Sequence, residues 1–475
     1  MRRALAALLL LAGLAACTDR GILAPPTLEP LDLTAEGPWL RDRMGRVVLL
    51  RGITLSALEH GRFEGEVDGP SQDDFRELER LGFNVVRVFL SWPALEPAAG
   101  ELRYEYLVER VNPIVRLAAQ HGMVVILTLY QRGWSRCFPD GLGLPLWSCA
   151  DRDVAAQADG LRVAACELFE GTEKEPDIRL HFLDAWKAIA EFYASDRRVI
   201  GFDLLEEPPE VACASGSSEE LVRRLYQEVG AELERLESRQ VLFFDPPVNA
   251  GGSMPLAPSA GVASVFAPHL FSQAFGRPPG PREVVLARAY AESAALAESA
   301  DVVFFAGEIG AELPEEDGFR GVSAPYVSAS LDALDRHLAG GTIFAAGGRN
   351  PPSEDAASPL EGAIRPWARR IAGIPQEMRF ERENRSFVLT WGDDPERRTS
   401  DPTEIFLPKD LYPEGFDVQV LPAGTWTWDE PTQRLLVYRS GAAGHALRVS
   451  PRAASSGADE TAKAAGGGDR APSAN

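Results

Sequence analysis

An eight-stranded β/α barrel followed by a small β-sandwich is the architecture that this 475-residue sequence predicts, and three observations predict it. Eight short apolar runs alternate with amphipathic stretches. The alternation stops near residue 376. Beyond it come short strand-like runs separated by turn residues, without long helical patterns.

The apolar runs fall at 47–55, 84–90, 123–130, 199–205, 240–244, 263–268, 302–306 and 341–345. Helical periodicity lies between them, at 72–81, 104–121, 178–194, 217–237, 282–299 and 325–338. Strands that read as continuously apolar are buried on both faces, as in a parallel sheet. Eight such units close most economically into a (β/α)8, or TIM, barrel over residues 31–375. A doubly wound open sheet is the alternative, but no glycine-rich phosphate loop follows the first run. Residues 376–450 then carry strand patterns at 379–381, 387–391, 403–407, 417–421 and 435–439, which predict a β-sandwich. Trp426 and Trp428 alternate on one strand face there; packing against the barrel is the favoured reading over a sugar-binding strip.

The ends of the chain read differently. Arg2 and Arg3 precede an apolar run ending in Leu14-Ala15-Ala16-Cys17. A charged start, a short apolar core and small residues before a cut site make residues 1–17 an export signal. Leu-Ala-Ala-Cys is similar to the bacterial lipobox, which predicts lipid attachment at Cys17 and an anchor in the bacterial membrane, on its periplasmic face or in the outer membrane. Residues 18–30, with Pro25, Pro26 and Pro30, read as a linker. Residues 451–475 are poor in large apolar side chains and read as a disordered tail.

Composition excludes some functions. With 48 Lys and Arg against 70 Asp and Glu, the net charge is −22, which repels phosphate backbones and argues against nucleic acid as a partner. Cys137, Cys149, Cys166 and Cys213 have no zinc spacing, and the six histidines are scattered, so neither a metal nor a cofactor is expected. In an oxidising compartment four cysteines permit two disulfides in three connectivities. At least one is expected to clip the insert after the third strand over the active face.

Barrel enzymes carry their chemistry at the C-terminal ends of the strands. The fourth run ends in Leu204-Leu205-Glu206-Glu207-Pro208, and the seventh in Phe305-Ala306-Gly307-Glu308. An acid that closes a buried apolar strand is costly to desolvate unless it has a task. Two carboxyl groups about 5 Å apart are what a retaining glycosidase requires, one to protonate the leaving oxygen and one to attack the anomeric carbon.

At these residues the chain resembles glycoside hydrolase family 5, particularly its endoglycoceramidase-like branch. The resemblance spans residues 37–450 and includes Gly45-Arg46 through Arg51-Gly52, Trp92-Pro-Ala-Leu-Glu96-Pro97, Pro268-His269 and Gly307-Glu308. It implies that Glu207 is the acid/base and Glu308 the nucleophile, that Arg87 orients Glu308, and that His269 lines the pocket. Trp92, Tyr130, Gln131, Glu206 and Phe344 complete the candidate substrate-binding set. Several of these depart from the family pattern. Glu206 replaces the Asn that usually precedes the acid/base, Thr128-Leu129-Tyr130-Gln131-Arg132 replaces Asp-Met-His-Gln-Asp, Leu270 and Phe271 follow the sixth-strand histidine, and Phe344 stands in place of a tryptophan.

The expected function is therefore an exported retaining β-glycosidase acting on a glycan or glycolipid. The alternative is a degenerate barrel that binds carbohydrate as a surface lipoprotein. A Ser-His-Asp hydrolase is weaker, because no Gly-x-Ser-x-Gly elbow follows a strand. Glu206 is expected to be protonated beside its acidic neighbours and to confine activity to acidic pH; an ion pair with Arg132 or another base is the competing reading.

Overall fold

A computed structural model describes residues 32–57, 70–139, 141–149, 159–247, 263–271, 282–310, 324–344, 358–397, 399–438 and 443–452. Cys17, the linker and all but the first two residues of the tail lie outside the described residues, so the expectations for them rest on sequence alone. No described helix is long and apolar enough to cross a membrane.

Eight parallel strands close a barrel: Arg51–Ser56, Val85–Leu90, Val124–Leu129, Val199–Asp203, Val241–Phe244, Ser264–Phe266, Val303–Gly310 and Gly340–Ile343. Arg51 pairs with Gly341, and Val265 with Val303, so no barrel edge is left open. The second strand, VVRVFL, is buried at every position because helices cover its outside and side chains fill its inside. The helices start where the sequence caps them. Ser71 with Asp74, and Ser217 with Glu220, form capping boxes ahead of Gln72–Arg80 and Ser218–Arg235. Expected helix 104–121 is interrupted by a π-turn at Leu107–Val111. Pro113 supplies no N–H and clashes with the preceding turn, which widens the ladder there.

The C-terminal sandwich has two sheets. One contains Ile374–Glu381, Ser386–Gly392, Gly444–Pro451 and Phe416–Leu421. The other is seven-stranded and draws Leu33–Glu36, Trp39–Asp42 and Val47–Val48 from the N-terminal end of the described chain to pair with Trp367–Ile371. This corrects two expectations. Run 47–55 is not one strand, and residues 33–48 belong to the sandwich sheet rather than the barrel. The run looks uniform because Val47 is buried in the sandwich core and Val48 and Ile53 against the barrel, and hydropathy does not register the change of sheet. Trp367–Ile371 (WARRI) escaped notice because its arginines break the apolar pattern. Glu404 lies 2.9 Å from Arg370 and 3.4 Å from Arg369. Trp428 packs edge-on to Phe416 at 5.0 Å within the sandwich, not against the barrel, and Trp426 is exposed.

Disulfides join Cys137 to Cys149 and Cys166 to Cys213. The first closes the insert after the third strand on itself. The second ties helix Gly160–Glu170 to the Ala212–Cys213 strand beyond the fourth, at the end of the barrel where Glu207 lies.

Candidate active site

Arg87 is fully buried at the centre of the site. Its Nε and Nη2 lie 2.8 and 2.7 Å from Oδ2 of Asp203, the last residue of the fourth strand. Nη2 also donates to Thr128 Oγ1 at 3.3 Å. Nη1 sits 3.6 Å from Glu206 Oε2 and 3.7 Å from Glu308 Oε1. The expected Arg87–Glu308 pairing is thus a charge contact rather than a hydrogen bond. Glu206 has Arg87 as its basic neighbour, whereas Arg132 is exposed and bridges Leu142 through its backbone. That arrangement corrects the Arg132 reading.

Past Asp203 the chain must turn both glutamates toward the mouth. Glu207 does so with φ at 43°, a region non-glycine residues seldom occupy unless their surroundings hold them there. Three contacts hold it. Asp245 Oδ2 accepts the Glu207 N–H at 2.9 Å, and Gln131 Nε2 donates to the carbonyls of Glu206 and Glu207 at 2.8 and 2.6 Å. Gln131 therefore braces the backbone behind the acids, and its Oε1 accepts from Trp134 N–H.

Opposite them, His269 pairs in register with Glu308. A Cβ on Gly307 would lie 2.4 Å from the Ala267 carbonyl, so only glycine lets the strands approach this closely just before Glu308. His269 Nδ1 is 3.1 Å from Glu207 Oε1 and 4.0 Å from Glu308 Oε2, and its Nε2 is 3.5 Å from Asp245 Oδ2. Burial alone would push this imidazole down, but Asp245, the hydrogen bond to Glu207 and the charge of Glu308 outweigh it and carry His269 up to about 10. Burial pushes Asp245 up to about 7, against the pull of His269. Glu308 is 1% exposed, and neither of its oxygens has a hydrogen-bond partner among the described residues.

Oxygens of Glu206, Glu207 and Glu308 and a ring nitrogen of His269 all lie within 4.8 Å of one another, a spacing that would also accommodate a cation. Glu207 and Glu308, the two carboxyl groups singled out in the sequence, are therefore together, at the spacing of about 5 Å that a double displacement needs.

The remaining candidates divide. Tyr130 packs on Phe89 with ring centroids 4.7 Å apart, and Phe344 joins them in a buried cluster beneath the mouth. Arg87 stands 5.4 Å from the Phe89 ring, which places this cluster directly against the charged groups. Trp92 is not brought to the site. It is 1% exposed, donates to Glu96 at 2.8 Å and packs edge-on to Phe182 in the core. Asp203 and Asp245 were not singled out, although an acid closing a barrel strand was the signal that found the glutamates.

Residues 44–345 match the family model for cellulase (glycosyl hydrolase family 5), and residues 365–450 match the glycoside hydrolase family 5 C-terminal domain. The chain is 26% identical to endoglycoceramidase I of Rhodococcus hoagii over 431 residues, 83% of each chain. Among solved structures it resembles endo-glycoceramidase II from Rhodococcus sp. in a ganglioside GM3 complex. The TM-score is 0.69 at 22% identity, over 87% of this chain and 99% of that one. It also resembles Cryptococcus neoformans sterylglucosidase 1, with a TM-score of 0.69 at 14% identity, over 89% and 98%.

Proposed function

The chain belongs to glycoside hydrolase family 5, and from that premise we propose that it is an exported, lipid-anchored retaining β-glycosidase that cleaves a glycolipid. The observation that carries the proposal is the Glu207–Glu308 pair, with carboxylate oxygens within 4.8 Å at the barrel mouth.

Glu207, 34% exposed, faces the side from which a leaving group departs and gives its proton to the glycosidic oxygen. Glu308, buried and without a hydrogen-bond donor on either oxygen among the described residues, attacks the anomeric carbon from the other face. Esterification removes the Glu308 charge, so Glu207 releases its proton more readily. It then deprotonates the water that hydrolyses the glycosyl ester. Arg87 and His269 supply fixed positive charge beside both carboxylates, in a site prepared before substrate arrives. Asp203 fixes Arg87, and Gln131 fixes the backbone of the acid/base.

The glycolipid class is supported by the endoglycoceramidase and sterylglucosidase relatives, and a lipid-modified Cys17 would keep the enzyme at a membrane where such substrates reside. The test is to incubate purified protein with β-linked glycosphingolipids and steryl glycosides in mixed micelles and to detect the released lipid. Release by wild type and its loss in Glu207→Gln and Glu308→Gln is the expected result. Equal, negligible release by all three across the panel would favour the carbohydrate-binding alternative.

A further inference from the structure

Five carboxylates meet Arg87 and His269 at the barrel mouth. Contacts of 4.0 Å or less join Asp203, Glu206, Glu207, Asp245 and Glu308 to Arg87 and His269. Arg87 directs two of its nitrogens at Asp203 and keeps only Nη1 near Glu206. A buried excess of negative charge is costly and is relieved either by protons or by a cation that arrives with the ligand.

Glu206 is the carboxylate the double displacement does not need. Its backbone is pinned, with N–H to the Leu129 carbonyl and C=O to Gln131, and the residue is 3% exposed. One of its oxygens lies within 4.8 Å of oxygens on both Glu207 and Glu308. Those two groups flank the anomeric carbon, so Glu206 lies beside that carbon, within reach of the substituent on the next ring atom. A carboxylate only accepts hydrogen bonds. A hydroxyl offers it a neutral bond, whereas an ammonium offers a charge-assisted bond about twice as strong.

On the hydrolase reading above, we propose that Glu206 selects a sugar bearing a free amine next to the anomeric carbon, which makes the substrate a β-linked 2-amino-2-deoxyglycoside. The chemistry favours this pairing twice. A C2 ammonium raises the barrier by opposing the positive charge that develops at C1, and a carboxylate beside it offsets that repulsion. An N-acetylated sugar presents a neutral amide instead and loses the charge pairing.

The test compares kcat/KM for 4-nitrophenyl β-glucoside, β-glucosaminide and N-acetyl-β-glucosaminide at a pH where the free amine is charged. Wild type should prefer the free amine over the hydroxyl by about tenfold or more. Glu206→Asn should abolish or invert that preference, and Glu206→Asp should retain part of it. A wild-type preference for the glucoside, or an amine preference that survives in Glu206→Asn, overturns the proposal while leaving the hydrolase reading intact. If no glycoside is turned over, that reading fails, and calorimetric binding of the same three compounds decides the role of Glu206. The amine compound binding no tighter than the glucoside would then overturn it.

Discussion

Asp245 accepts the backbone N–H of Glu207 at 2.9 Å, and through its contact with His269 at 3.5 Å it also faces the imidazole that touches the Glu207 carboxylate. One buried acid thus sets both the backbone and the charge environment of Glu207.

Asp245→Asn keeps an acceptor for the N–H but removes the charge that most raises His269. In wild type His269 stays protonated until about 10; in the variant it should lose its proton closer to neutrality. The alkaline limb of kcat/KM should move down accordingly, with the His269 ring titrated by nuclear magnetic resonance as the direct check. Asp245→Ala also frees the Glu207 backbone and should lower kcat by about 100-fold, as misplacing a reacting group does. An unchanged pH profile in Asp245→Asn removes Asp245 from the account.

Folding stability should decline as the solution becomes alkaline. His269 rises from 6.5 to about 10 on folding, so the native state holds a proton the unfolded chain has already lost. Its contribution is complete below 6.5 and is lost as the pH climbs through about 10. Asp245, raised from 3.8 to about 7, acts in the same direction at lower pH. Thermal unfolding followed across this range should show a falling Tm. His269→Asn should flatten the upper part of the curve, and an equally steep fall in that variant contradicts the assignment.

The two disulfides should differ in worth. Cys166–Cys213 spans 47 residues and Cys137–Cys149 spans 12. Constraint of the unfolded chain gives about 4 kcal/mol for the longer loop and about 3 kcal/mol for the shorter. Paired Cys→Ser variants unfolded in denaturant should keep that order. Four reactive thiols in the oxidised, unfolded protein would show that neither bond forms.

Much of this was legible in the sequence. Glu207 and Glu308 stood out because each closes a buried apolar run with a charge, and the structure brings them together. Asp203 and Asp245 carry the same signal, but their work is done through Arg87, His269 and a backbone amide, partners that only the closed barrel supplies. The sequence alone does not separate Trp92 from the pocket, because an aromatic just past a strand looks alike whether it faces a ligand or Phe182. The sequence places residues 33–48 with the barrel because the partner that ties Val47–Val48 to the sandwich, Trp367–Ile371, is more than 300 residues away along the chain.

The proposed anchor rests on Leu14-Ala15-Ala16-Cys17. Cys17→Ala should shift the protein from membranes to the soluble fraction without altering barrel folding. Several acyl chains on one residue hold a protein firmly where a single chain does not. A variant that still sediments with membranes places the attachment elsewhere.

The central claim is that Glu308 forms a covalent bond to the sugar. Incubation with an activated 2-deoxy-2-fluoro-β-glycoside, followed by intact-mass measurement and peptide mapping, reads that bond directly. The account predicts one sugar per chain, attached to Glu308 and absent in Glu308→Gln. Turnover of ordinary substrate with inversion at the anomeric carbon, or a label on any other residue, would contradict it.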